Sequence, residues 1–185
     1  MNNTITLNKK KLVAKASTLI IAIAGAVALP QVFHLIGWIS GTGAAVGTAL
    51  LPMHIPVLLA GFMAGPVIGG VAGVISPIIS FLISGMPAAA ILPFMMIELG
   101  VYGLTAGLLS RTKLNSFISL VLAQLAGRIA RAAAVLIAVY FLGNSQLTPM
   151  AAVEFITAGL FGILIQWALI PALMQHTKGL KKLYE

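Results

Sequence analysis

The run FISLVLAQLAGRIARAAAVLIAVYFL, from Phe117 to Leu142, decides how this chain is read. It is apolar and long enough to cross a bilayer, whose hydrocarbon core calls for about 20 helical residues. Inside it sit two arginines, Arg128 and Arg131. A cation at mid-membrane depth costs at least ~2.5–3.5 kcal/mol on insertion scales, so it faces a bundle interior or a wet cavity and meets an anion there. These two side chains mark where function is expected.

The composition around that run agrees with a membrane protein. Of 185 residues, 60% are hydrophobic and 8% charged, more apolar surface than one soluble core can bury. Eleven Lys and Arg against three Asp and Glu give a net charge of +8. The cations lie at the ends of apolar segments, and no basic face interleaved with aromatics is present, so no nucleic-acid partner is expected. The absence of cysteine excludes disulfides, thiolate chemistry and cysteine-based metal sites. Lys9, Lys10 and Lys11 ahead of an apolar stretch look like the start of a signal peptide. The stretch is long, lacks a clean cleavage signature and is followed by further spans, so it reads as a retained helix.

At about 20 residues per crossing, six apolar segments follow one another. They run from about Leu12 to Leu29 (ending at Pro30), Ala44 to Met63 (interrupted by Pro52 and Pro56), Val67 to Ile83 (containing Pro77), Ile91 to Leu109, Ser116 to Leu142, and Ala151 to Met174. Each is predicted helical, since a lipid-embedded span must satisfy its own backbone. The expected fold is therefore all-α, a single domain over 1–185 with six transmembrane helices. Lys9, Lys10, Lys11 and Lys15 precede the first span, Arg111 and Lys113 separate the fourth and fifth, and Lys178, Lys181 and Lys182 follow the sixth. An even number of spans puts all three clusters on one side, and the positive-inside rule makes that side, with both termini, cytoplasmic. The opposite loops, 31–43, 85–90 and 143–150, carry no Lys, Arg, Asp or Glu.

Glu98 is the one acid well inside a span; Glu154 lies in the first turn of the sixth. At 1.5 Å per residue, Arg131 is about 16 Å, Arg128 about 20 Å and Glu98 about 10 Å below the outer surface. A Glu98–Arg131 pair is within side-chain reach, either as a brace for the bundle or as part of a polar cavity with Gln124, Tyr102, Gln166 and Trp167. The loop from Gln31 to Gly43 holds His34, Trp38 and three glycines, which suits a lid over a cavity and equally an ordinary connector with an interfacial tryptophan. Alanines at four-residue spacing, Ala22 with Ala26 and Ala24 with Ala28, would let another helix approach closely.

Enzymatic chemistry finds little support. His34, His54 and His176 fall on a loop, in a span and on a tail without i,i+4 partners, no HExxH occurs, and no serine and histidine are placed as a pair. No catalytic residue, metal or cofactor is expected.

The stretch Leu51-Pro52-Met53-His54-Ile55-Pro56-Val57-Leu58-Leu59-Ala60-Gly61-Phe62, then Gly65-Pro66 and Gly69 to Pro87, resembles the substrate-binding S components of energy-coupling-factor (ECF) vitamin transporters. Glu98-Leu99 with Tyr102-Gly103, Gly127-Arg128-Ile129, and Gln166 through Ala172 extend the resemblance over nearly the whole chain. It implies a six-helix bundle in a prokaryotic plasma membrane, with a vitamin pocket near the outer surface roofed by the first loop. It also implies docking onto a transmembrane coupling subunit (T component) that carries two ATPases, with Ala22, Ala24, Ala26 and Ala28 of the first helix as contacts. No GxxxxGK[ST] occurs, as expected if separate subunits hydrolyse ATP. Candidate substrate-binding residues are His34, Trp38, His54, Glu98, Tyr102, Gln124, Arg128, Arg131 and Gln166. The resembling subgroup points to hydroxymethylpyrimidine or pyridoxine, with pantothenate next because an arginine would suit its carboxylate. The alternatives are a stand-alone secondary transporter, for which Pro52, Pro56 and Pro77 would supply broken helices, and a membrane scaffold without cargo.

Overall fold

Lipid leaves a spanning backbone no partner but itself, and the chain answers with helices. The structure, a computed structural model, describes residues 2–43, 45–157, 159–176 and 184. Among these it has eight helices and no strand: α1 (Asn2–Ile39), α2 (Ala45–Leu50), α3 (His54–Ala64), α4 (Pro66–Ser84), α5 (Leu92–Leu109), α6 (Ser116–Tyr140), α7 (Ala151–Thr157) and α8 (Leu160–His176). Lys178, Lys181 and Lys182, and Ala44 at the start of the expected second span, lie outside the described residues.

Among the described residues five stretches are long and apolar enough to cross a membrane: Lys9–Ile39, Ala45–Ala64, Pro66–Ser84, Leu92–Leu109 and Ser116–Tyr140. Leu160–His176 is a shorter apolar helix of 17 residues, about 25 Å long at 1.5 Å per residue. The expected sixth span is thus divided into α7 and α8. The second is divided too, into α2 and α3, by Leu51-Pro52-Met53.

The first span departs most from expectation. Pro30 does not end it; α1 continues to Ile39 with Pro30 inside. Proline removes one backbone donor, but inside a bundle neighbouring helices can accommodate the break in the ladder, so a membrane helix tolerates it. Pro30 is buried, and Gln31 Nε2 donates to Ser84 Oγ at 3.0 Å, tying the extension to the end of α4. Most of the expected outer loop is therefore helix, and only 40–43 of it is turn.

The bundle is centred on α5, which packs on α3, α4 and α6, while α1 lies across α3 and α4. Glycine makes the closest of these approaches possible. A Cβ on Gly61 would lie 2.3 Å from the Gly103 carbonyl oxygen, one on Gly69 2.4 Å from the same atom, and one on Gly73 2.1 Å from the Leu99 oxygen. Four-residue spacing, Gly65 just before α4 with Gly69 and Gly73 on it, and Gly103 and Gly107 on α5, lets the backbones meet, as in small-residue membrane interfaces. The alanines of α1 are split by the same packing. Ala22 clusters with Ala60 and Ala72, and Ala26 with Met53, Val57 and Leu99, while Ala24 and Ala28 are exposed.

These contacts also fix polarity. Along α1, Ala22 meets Ala60 and the later Ala26 meets the earlier Val57 and Met53, so α1 runs antiparallel to α3. The N-terminal lysines thus share an end with the α3–α4 turn at Gly65, beside which Arg111 lies. Tyr184 Oη lies 2.7 Å from Thr18 Oγ1, bringing the far end of the chain back to α1. This is the end that the positive-inside rule predicts to be cytoplasmic.

Candidate substrate-binding site

Glu98 comes from the first half of α5 and faces α6, where Gly127 removes the side chain that would hold the helices apart. A Cβ there would lie 1.9 Å from the Tyr102 ring. Beginning with the next residue of α6, Arg128 and Arg131, at i and i+3, share a face, and both reach Glu98. Arg131 Nη1 donates to Glu98 Oε2, and Arg128 Nε lies 3.2 Å from Oε1. His54, the first residue of α3, brings Nε2 to 3.9 Å from the same oxygen. Glu98 and His54 are 0% exposed, Arg128 6% and Arg131 8%. The expected Glu98–Arg131 pair is present, within a cluster of four groups.

The cluster forms one wall of a cavity of about 330 Å³. Arg128, Arg131 and His54 face it, joined by His34 of α1, Thr48 of α2 and Ser80 of α4. The rest of the lining is Pro30, Gly47, the Leu51-Pro52-Met53 break, Met86-Pro87-Ala88, Ile91, Met95 and Gly159. That combination of an apolar wall and a few convergent polar groups is the usual make-up of a small-molecule site, and the volume lies at the small end of the range. The late residues of α1 and α4, the early ones of α5 and the segment before α8 all belong to the end opposite the cationic turns. The cavity therefore lies in the half of the bundle away from the cationic turns.

Leu51 is the one described non-glycine residue with positive φ, at 49°. Such left-handed backbone costs of order 1–3 kcal/mol and gathers at ligand clamps. Here it opens the span where it borders the cavity. The carbonyl of Leu51 accepts from Gln166 Nε2 at 3.4 Å, Gln166 Oε1 accepts from Gln124 Nε2 at 2.8 Å, and Gln124 Oε1 accepts from Trp167 Nε1 at 2.7 Å. This chain of amides holds the break from behind.

Several expected residues take other places. Trp38 is 79% exposed on the end of α1 and does not line the cavity, because the helix continues where a folded-over loop was expected. Tyr102 lies behind Glu98, its ring edge-on to His54 with centroids 5.2 Å apart. Gln124 and Gln166 brace the wall without lining it, as does Glu98 itself. Ala22 and Ala26 are spent on packing within the chain, so they are not an outward ridge. Sequence reasoning missed Thr48, Ser80, Met86, Met95 and Gly159. The proline-rich break and the Ser84-Gly85-Met86-Pro87 turn were the signals near them.

The ECF transporter substrate-specific component family model matches residues 16–176, from the body of α1 to the end of α8. No curated protein and no solved structure gives a match. The family match covers both walls of the cavity, the broken second span and the arginine-bearing α6, so the chain belongs to the substrate-specific S components of ECF transporters.

Proposed function

We propose that the chain captures a small water-soluble vitamin or vitamin precursor from outside the cell in the cavity beside Arg128, Arg131 and His54. It then delivers the compound by docking on a transmembrane coupling subunit driven by separate ATPases. The observation that carries this is the cavity itself: about 330 Å³, in the half of the bundle away from the cationic end, with buried charged groups at its wall. Its size suits a single-ring or short-chain compound and is far too small for a corrinoid. Hydroxymethylpyrimidine or pyridoxine comes first from the sequence resemblance, pantothenate next. Docking belongs to the exposed face of α1, where Ala24 and Ala28 offer close approach.

The broken second span supports a second reading, a stand-alone secondary transporter, since unwound segments also line ion-coupled sites. Uptake into proteoliposomes separates the two. With the coupling subunit and ATPases present, accumulation of labelled vitamin should require internal ATP. Accumulation by the chain alone, driven by a sodium or proton gradient, would assign it to the second class.

A further inference from the structure

A second concavity lies apart from the substrate cavity, between α4 and α5 on the exposed side of the bundle. It is an open furrow of about 720 Å³. Its walls are two stripes at i, i+4 and i+7, Val67, Val71 and Val74 of α4 and Ile97, Val101 and Leu104 of α5, the spacing that keeps residues on one helix face. Its floor is Gly70 and Gly100, whose missing side chains leave the gap. A Cβ on Gly70 would lie 3.6 Å from the Leu104 Cβ, and one on Gly100 2.9 Å from Val74 Cγ2. The lining consists of Gly, Pro, Val, Ile, Leu and Met. Such a space gives water too few polar partners to hold it, and left empty it forfeits dispersion contacts along both walls. An apolar chain fits it.

The furrow begins at the cationic end of the bundle. Pro66, the first residue of α4, lines it, and Gly65 just before lies against the Arg111 guanidinium: a Cβ there would be 3.2 Å from Arg111 Nη2. Arg111 and the nearby Lys113 are exposed. From that mouth the α4 wall, Val67 to Val74, runs about 10 Å along the span at 1.5 Å per residue. A cation thus stands at the end of an apolar trough that leads into the membrane. A phospholipid with a charged headgroup has the same order, anion at the interface and hydrocarbon below, and basic pockets between transmembrane helices select such headgroups. We propose that the α4–α5 furrow binds one anionic phospholipid of the leaflet at the cationic end, an acyl chain between the two stripes and the headgroup phosphate on Arg111. A partner helix would fill the furrow but calls for no cation at its mouth. A free phosphate would meet Arg111 and leave the furrow empty. Because α4 and α5 also form the glycine seam of the bundle, occupancy should raise thermal stability.

Two lipids with the same chains and different headgroups test the assignment. The delipidated chain in detergent is offered equimolar palmitoyl-oleoyl phosphatidylglycerol and phosphatidylcholine, and is read by native mass spectrometry and thermal melting. One phosphatidylglycerol should be retained per chain, favoured over phosphatidylcholine by about fivefold, as one interfacial arginine provides, and it should raise the melting temperature more. Arg111→Gln should retain the two lipids equally. Val71→Trp, which fills the furrow from an exposed position, should lose the retained lipid; Ile97→Trp fills it from the other wall if the first variant does not melt like the parent. With neither folded, Arg111→Gln decides. Equal retention of the two lipids by the parent overturns the proposal, and so does a preference that survives Arg111→Gln, which would move the headgroup to other cations. Lipid retained unchanged by a folded tryptophan variant overturns it as well. Should that variant instead lose pull-down of the coupling subunit, the furrow is a protein interface.

Discussion

Glu98 stands between two arginines on the next helix and a histidine on the one before, and the arrangement has a measurable consequence. Removing one partner of a buried ionic cluster costs about 3–5 kcal/mol, because the charges left behind have no solvent to return to. Glu98→Gln keeps the shape and loses the anion, so it should melt well below the parent in detergent; a melting temperature within a degree of the parent would mean that the cluster contributes nothing to the fold. Trp38 provides the opposite case. It is 79% exposed and remote from the lining, an aromatic at the membrane–water interface, so Trp38→Ala should leave ligand affinity within about twofold. A tenfold loss in titration would return it to the site as part of a lid. At this scale the ion pair was legible because charges are so scarce: with three acids in the chain, only Glu98 lay deep enough to meet an arginine. Ser80, Met86 and Met95 carry no such mark, since serine and methionine in an apolar span read as filler until the fold brings them to one wall.

Helices were legible as elements, their interruptions less so. Length and apolarity predict the spans, and five of six expected segments begin or end within a few residues of a helix terminus. The rule that a helix stops at proline failed at Pro30, where bundle packing outweighs one lost hydrogen bond, and worked at Pro52, where the chain does break. Close packing was sought on the alanines of α1, yet the tightest seam lies between α3, α4 and α5. A Cβ at Gly103 would be 2.0 Å from the Gly69 carbonyl oxygen, so one added methyl must push two backbones apart. Gly103→Ala should therefore destabilise by about 1–3 kcal/mol or more, visible as a lowered melting temperature and poor yield; a parent-like melt would show that the seam is loose. The same packing sorts the α1 alanines. Ala24→Leu with Ala28→Leu should lose pull-down of the coupling subunit while melting normally, whereas Ala26→Leu, at a 0% exposed position, should lower stability first. Retained pull-down by the double variant would move the docking face elsewhere.

At the scale of the whole molecule, charge and volume sit at opposite ends. The cationic turns occupy one end and the cavity the other, so a solute entering from the end away from the cationic turns meets the arginines without crossing the bundle. The α2–α3 break at Leu51 is tied to α6 and α8 by the amide chain through Gln166, Gln124 and Trp167. The cavity was not legible in the sequence because its lining comes from six helices and the turns between them, and no pattern along a chain displays a space. Thr48 is exposed at its mouth on α2, a position where a bulky side chain can plug the cavity without disturbing the core. The most direct test is native mass spectrometry of the chain purified alone from cells grown in rich medium, beside a Thr48→Trp variant of equal thermal stability. Capture in this cavity predicts a one-to-one small-molecule adduct on the parent that is released on denaturation and missing from the variant. A parent with no adduct, or an adduct retained equally by Thr48→Trp, would contradict it.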